Sequence, residues 1–261
     1  MEVKELFELA LNEHKKRNLP LAEKLYKQIL EKYPNEISTI NNLGTVLKEL
    51  GKNKEAVFYY EKALKLKPED IITNFNLGLI FSQLEHFKKS IIFYEKVIKI
   101  DPKHLQSYHN LMDIYEKTNN LEKLEEIILK ARSSLKNNPI IKLYEGSLLY
   151  KKEKYNEAIE NLDSISFLSN KIKQEQLRVL TLAKCYDKIK NFDKAFFNFV
   201  KTNEISLKLK NKNINKDLYL EKVETRKKFF NKFKKEEWST YKIPEQNNNP
   251  IFMIGFPRSG T

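Results

Sequence analysis

The sequence predicts an all-α protein, a solenoid of about six stacked helix-turn-helix units with one further helix capping it. Three observations predict this. Only six glycines and eight prolines interrupt 261 residues rich in Leu, Ile, Lys, Glu and Asn, a composition that favours helix. Ala10, Gly44, Gly78, Met112 and Gly146 recur at a constant 34-residue step, each inside a stretch of helical apolar periodicity. Pro34, Pro68 and Pro102 recur at the same step, placed to close one unit and preset the turn into the next.

Within each unit the pattern has two further fixed points. Twelve residues after the small residue of the first helix stand Ala22, Ala56, Ser90, Leu124 and Ala158, and four residues later Tyr26, Tyr60, Tyr94, Ile128 and Leu162. A glycine inside a helix costs about 1 kcal/mol relative to alanine, so Gly44 and Gly78 need a packing reason. Small residues let the two helices of a unit approach, and the aromatic one turn on fills the space beside them. Gly51 stands where the first helix of its unit must stop. In the fourth and fifth units Met112 and Leu124 replace small residues, and Pro139 comes three residues late. This reads as drift in a tolerant scaffold, with looser packing, a change of curvature or a hinge there as the alternative. A sixth unit follows a three-residue insertion and carries Leu182, Ala183, Ala195 and Phe199.

The period and pattern resemble the tetratricopeptide repeat (TPR) over roughly residues 3–206. The resemblance implies that the first helices line a groove. In them Asn42, Asn76 and Asn110 recur at the same step, a ladder of amide donors and acceptors suited to clamping the backbone of an extended peptide. The glycosyltransferase that adds GlcNAc to serine and threonine carries a similar ladder. Glu8, Tyr144 and Thr181 take this place in the first, fifth and sixth units.

Residues 207–238 read as a polar connector, then a helix from about Lys216 to Glu237 whose apolar positions include Leu218, Val223, Phe229 and Phe233. A capping role is expected, because an open solenoid end leaves an apolar face in water. Trp238 is expected to wedge or pack there. Residues 239–250 read as a linker.

The last eleven residues, 251–261, carry the most specific chemistry. Ile251 to Ile254, opened by Pro250, is a short β-prone run suited to a buried parallel strand. Gly255 and Gly260 then let the backbone curl so that N–H groups converge on an oxyanion. Arg258 adds charge, and Ser259 and Thr261 add hydroxyls. A nucleotide-binding P-loop would place lysine where Thr261 stands, so that reading is disfavoured. Gly255-Phe-Pro-Arg-Ser-Gly-Thr261 resembles the 5′-phosphosulfate loop of sulfotransferases that use 3′-phosphoadenosine-5′-phosphosulfate (PAPS), in the form found in protein-tyrosine sulfotransferases and in bacterial TPR–sulfotransferase fusions. The resemblance implies that Gly255, Pro257, Arg258, Ser259, Gly260 and Thr261 hold PAPS, with Arg258 stabilising the departing phosphate oxygen in an in-line displacement. The general base and the 3′-phosphate site of that family would follow Thr261, so the 261-residue chain alone is expected to be inactive and to lack measurable PAPS affinity. The alternative is a stand-alone TPR adaptor for a protein or peptide partner.

Composition bounds the remaining classes. Cys185 is the single cysteine, which excludes a disulfide framework within the chain and points to a reducing, cytoplasmic setting. His14, His86, His104 and His109 have no ligand spacing, so no metal is expected. Met1 to Ala10 has acids where a signal peptide is basic, and no apolar run reaches membrane-spanning length. The net charge of +13 rests almost wholly on lysine, whereas base readout leans on arginine. Nucleic acid is therefore not expected; solvated lysine faces account for the charge, with attraction of an acidic substrate or anionic cofactor as the alternative.

Overall fold

The computed structural model describes residues 2–210, with 224 and 225. The chain divides into two units, Met1–Lys210 and Asn211–Thr261, and the first is an all-helical solenoid. The expectations for the capping helix, Trp238, the linker, the strand at Ile251–Ile254 and the loop Gly255–Thr261 lie outside the described residues.

Six antiparallel pairs follow one another: α1 (Val3–Lys15) with α2 (Leu19–Lys32), α3 (Ile37–Glu49) with α4 (Asn53–Leu66), α5 (Ile71–Gln83) with α6 (Phe87–Ile100), α7 (Leu105–Lys117) with α8 (Leu121–Ser134), α9 (Pro139–Lys151) with α10 (Tyr155–Asp163), and α11 (Ile172–Lys188) with α12 (Phe192–Lys210). The mid-helix glycines do what their position requires. A Cβ on Gly44 would lie 2.7 Å from the Tyr60 ring, and one on Gly78 would lie 2.6 Å from the Tyr94 ring. Tyr26, Tyr60 and Tyr94 are fully buried. The ring sits where a side chain on the facing helix would otherwise be.

Two further ladders keep the same step. Each first helix from α3 to α9 opens on a side chain that accepts backbone N–H bonds: Glu36 from Ser38 and Thr39, Asp70 from Thr73, His104 from Ser107 and Asn138 from Ile140. These caps satisfy donors that a helix start leaves free. Each first helix also ends on a left-handed residue: Arg17, Gly51, Glu85, Asn119, Glu153 and Lys190, with φ between 53° and 76°. The next N–H reaches back five residues, as in Asn18 to Glu13 and Lys52 to Leu47, which is the Schellman closure.

The larger residues of the fourth unit are packed into the core. Met112 and Leu124 are fully buried and share one core with Tyr94, Tyr108, Ile128 and Tyr144. Ile128 is shorter than the tyrosine it replaces, and this makes room for Met112. Pro139 is not a late turn residue but the first residue of α9, where its missing N–H costs nothing. The irregularity falls one helix later. α10 has only nine residues, and a 3-10 turn at Ser169–Lys171 precedes α11. Arg178, 8% exposed, closes this step by donating to the Leu162 carbonyl at 3.2 Å and to both oxygens of Glu175 at 2.8 and 2.7 Å.

First helices pack on the next first helix at α1–α3, α3–α5, α7–α9 and α9–α11, whereas second helices do not pack on one another in this way. The first helices therefore form the inner side of the stack. This is the face that carries the asparagine ladder.

Candidate peptide-binding face

The three ladder residues share a helical position but not an environment. Asn42 on α3 is partly exposed and its side chain makes no hydrogen bond within the described chain, so both its amide donor and its acceptor are free. Its neighbour Asn41 is spent on the fold: it donates to Asp70 at 3.3 Å and accepts from the Thr73 hydroxyl at 2.7 Å. That network ties the second unit to the third. Burial acts against the Asp70 carboxylate, but the hydroxyl and N–H of Thr73 and the nearby Lys67 outweigh it and hold its pKa below the ordinary value.

Asn76 on α5 is 9% exposed. Its Oδ1 accepts a hydrogen bond from Lys48 Nζ on α3 at 3.2 Å, and its Nδ2 has no partner. Burial pulls the Lys48 ammonium below the ordinary lysine range, with Glu49 opposing.

Asn110 on α7 is turned differently. Its Oδ1 accepts from Gln106 Nε2 at 3.2 Å, and its Nδ2 is buried without a partner. The Tyr94 hydroxyl, also buried without a close partner, feels Asn110 and Ser90; burial nevertheless pushes its pKa up to about 12. Gln106 Nε2 also lies 3.0 Å from His109 Nδ1. The His109 ring leans on Tyr144 of α9, centroids 5.8 Å apart, and burial holds its pKa below the usual histidine value.

The ladder thus presents free donors at Asn42 and Asn76, whereas the donor of Asn110 faces the core. It stops beyond α7, since Tyr144 is buried and the Thr181 hydroxyl donates to the Leu177 carbonyl of its own helix at 2.8 Å. Sequence periodicity finds the three positions but not this difference, which comes from neighbours outside the repeat pattern: Lys48 and Gln106. Lys48 is a groove residue that the 34-residue pattern does not reveal, because Ser82 stands in its place one unit on. Cys185 is buried and its thiol is pushed up to about 11, so it is not a reactive thiol. No helix among the described residues is long and apolar enough to cross a membrane.

Among the residues of the first unit, twelve helices in six pairs, with an inner face of first helices, define a TPR solenoid. Comparison with known proteins agrees. Tetratricopeptide-repeat models match residues 38–70 and 72–104, and the Iml2/Tetratricopeptide repeat protein 39 model matches residues 103–210. Among solved structures, a TPR protein from Parabacteroides merdae superposes with a TM-score of 0.65 at 20% identity, covering 77% of this chain and 79% of that one. PilF of Pseudomonas aeruginosa gives 0.62 at 17% identity, covering 78% and 91%. YrrB, described as a TPR protein with an unusual peptide-binding site, gives 0.53 at 16% identity, covering 69% and 91%. At these identities the superpositions show the fold alone. Comparison with curated protein sequences gives no match.

Proposed function

We propose that the solenoid is a protein-interaction scaffold that holds an extended peptide on its first-helix face. The observation that carries this reading is the pair Asn42 and Asn76: two amides at equivalent positions of adjacent units, each with an uncommitted N–H₂ group. Amides at a regular rise can grip peptide carbonyls without reading side chains. YrrB, similar in fold, is described as having a peptide-binding site of its own, which accords with this use of the architecture. Titration of fluorescent 12-residue peptides tests the reading. Asn42→Ala and Asn76→Ala should each weaken binding several-fold with helix content unchanged, and unchanged affinity in both would overturn it.

The finer part of the proposal concerns residues 250–261. Their sequence supports a PAPS-dependent sulfotransferase whose first phosphate loop is Gly255–Thr261 and whose acceptor is delivered by the solenoid. Arg258 would neutralise charge on the departing phosphate, and the N–H groups at Ser259, Gly260 and Thr261 would hold the 5′-phosphate. A stand-alone adaptor is the second reading, favoured by family matches that concern the repeats alone. The DNA following codon 261 separates the two. An open frame encoding a helix and later an arginine–serine pair, with ³⁵S transfer from PAPS lost in Arg258→Ala, supports the enzyme. A frame without these, or transfer indifferent to Arg258, supports the adaptor.

A further inference from the structure

The outer side of the second and third units carries a duplicated basic stripe. On α4, Lys54 stands four residues before Phe58, and Lys62 and Lys65 stand four and seven residues after it; on α6, Lys88, Lys96 and Lys99 stand at the same offsets from Ile92. Offsets of four and seven keep side chains on one face of a helix, so each apolar residue sits among three lysines. Phe58 and Ile92 are each 62% exposed. None of the six lysines has a carboxylate within 4.0 Å among the described residues. Glu55, Glu61 and Glu95 stand three residues from the apolar positions, at the edges of the stripes, and Glu55 lies 4.0 Å from Lys27 of the first unit.

The stripe is local. One unit back, Pro20, Gln28 and Glu31 take the places of Lys54, Lys62 and Lys65; one unit on, Glu122 and Glu126 take those of Lys88 and Ile92, and Glu160 follows at the same step on α10. A chain-wide excess of lysine has no reason to surround two exposed apolar side chains or to stop at α8.

Three features define the partner. The charges are ammonium groups on long aliphatic stems, which reach anions at the surface while the apolar residue between them goes deeper. The apolar centre calls for an oily phase, and Ile92 offers no ring on which a nucleic-acid base could stack. The stripes lie on second helices, which do not pack on one another, so whatever meets both is broad rather than a single strand of peptide.

We infer that the outer face of α4 and α6 docks on an anionic lipid bilayer. Phe58 and Ile92 enter the boundary between headgroups and acyl chains, and the six lysines meet lipid phosphates and carboxylates. The docking is peripheral, and it leaves the first-helix face, on the other side of the stack, open to a peptide.

Sedimentation of the full chain with vesicles tests this. Phosphatidylcholine vesicles with about 30% phosphatidylserine should carry the protein down, pure phosphatidylcholine should not, and rising salt should release it. A lysine near an anionic surface is worth about fivefold in binding, so Lys54→Gln/Lys65→Gln/Lys88→Gln/Lys99→Gln should bind at least about a hundredfold more weakly. Lys173→Gln/Lys184→Gln/Lys188→Gln/Lys190→Gln removes the same charge from exposed lysines on and after α11 and should lose less than about tenfold. A polarity-sensitive dye on Ile92→Cys should shift to the blue on the anionic vesicles. The same dye on Ile72→Cys, equally exposed but on the first helix α5, should not shift; Cys185 is buried and does not compete for the label. No binding to anionic vesicles, equal loss in the two lysine variants, or an unshifted dye at Ile92→Cys overturns the inference. Stripping from the vesicles by single-stranded DNA at equal phosphate concentration would assign the face to nucleic acid and overturn it as well. None of these outcomes bears on Asn42 and Asn76, so the peptide-binding reading stands or falls separately.

Discussion

Replacing Gly78 by alanine sets two effects of opposite sign against each other. In an open helix the change stabilises by about 1 kcal/mol, because alanine loses less backbone freedom than glycine. Here the new methyl would stand 2.6 Å from Tyr94 Cε1, 2.8 Å from Cδ1 and 3.0 Å from Cζ. The ring cannot swing away, since it is fully buried and packed beside Phe75, with centroids 5.8 Å apart. Overpacking of this kind costs about 1–3 kcal/mol, so α5 and α6 must separate and the net change is a loss of up to about 2 kcal/mol. The fourth unit shows the remedy: Ile128 opposite Met112 leaves room for a side chain larger than alanine. In a Tyr94→Ile background, Gly78→Ala should therefore change sign and stabilise by up to about 1 kcal/mol. Repeat arrays need not unfold in one step, so the readout is amide exchange of α5 and α6 alongside urea unfolding followed by circular dichroism. A stabilising Gly78→Ala in the wild-type background, or the same effect in both backgrounds, would refute the packing argument.

Three other outcomes follow from the same structure. Gly51→Ala should lose about 1 kcal/mol from backbone strain alone, since φ is 76° and nothing lies within 4 Å of the added methyl. Glu85→Gly and Glu153→Gly, at φ 58° and 61°, should each gain about 0.5 kcal/mol, read as a rise in urea midpoint. Arg178→Met should cost about 1–3 kcal/mol and lower exchange protection in α10 and α11 first, because Glu175 and the Leu162 carbonyl lose their shortest donors and keep only longer ones from Lys201, Phe167 and Ile165. Acid should destabilise the solenoid by a defined route. Burial works against the Glu175 carboxylate, but Arg178 and Lys201 outweigh it, and its folded pKa lies below 4.5, as that of Asp70 lies below 3.8. Both groups contribute stability that is complete above their unfolded values and is lost as pH falls through the lower folded values. Urea midpoints should be flat from neutral pH down to about 5 and drop below about 4, and Glu175→Gln should flatten part of that drop.

The repeat was legible in the sequence because it is written in residue size. Gly44 with Tyr60 and Gly78 with Tyr94 are pairs whose volumes must be complementary, and their spacing survives in the fourth unit as Met112 with Ile128. The turn between paired helices was legible only at Gly51, the one glycine among six left-handed positions; Arg17, Glu85, Glu153 and Lys190 carry no such signal. The capping ladder Glu36, Asp70, His104 and Asn138 also went unread, since four chemically different side chains do one job there. The packing of the fourth unit was not legible for a related reason: a larger residue in one helix is offset by a smaller one in its partner, which a position-by-position reading treats as two defects. At the candidate site the three asparagines stand at the same position of α3, α5 and α7, but their surroundings differ through Lys48 and Gln106, which belong to no repeat position. That is why Asn42 and Asn76 offer free donors and Asn110 does not. Asn110→Ala should accordingly weaken peptide binding least of the three.

The claim that these helices form a peptide-binding face is tested most directly by calorimetric titration of the tightest-binding 12-residue peptide from a random array into the wild-type chain and into an Asn42→Ala/Asn76→Ala double variant. Binding in the wild type that is lost or falls at least tenfold in the double variant, with unchanged circular dichroism, is the outcome the structure predicts. Equal affinity in the two proteins would place the ligand elsewhere and contradict the account.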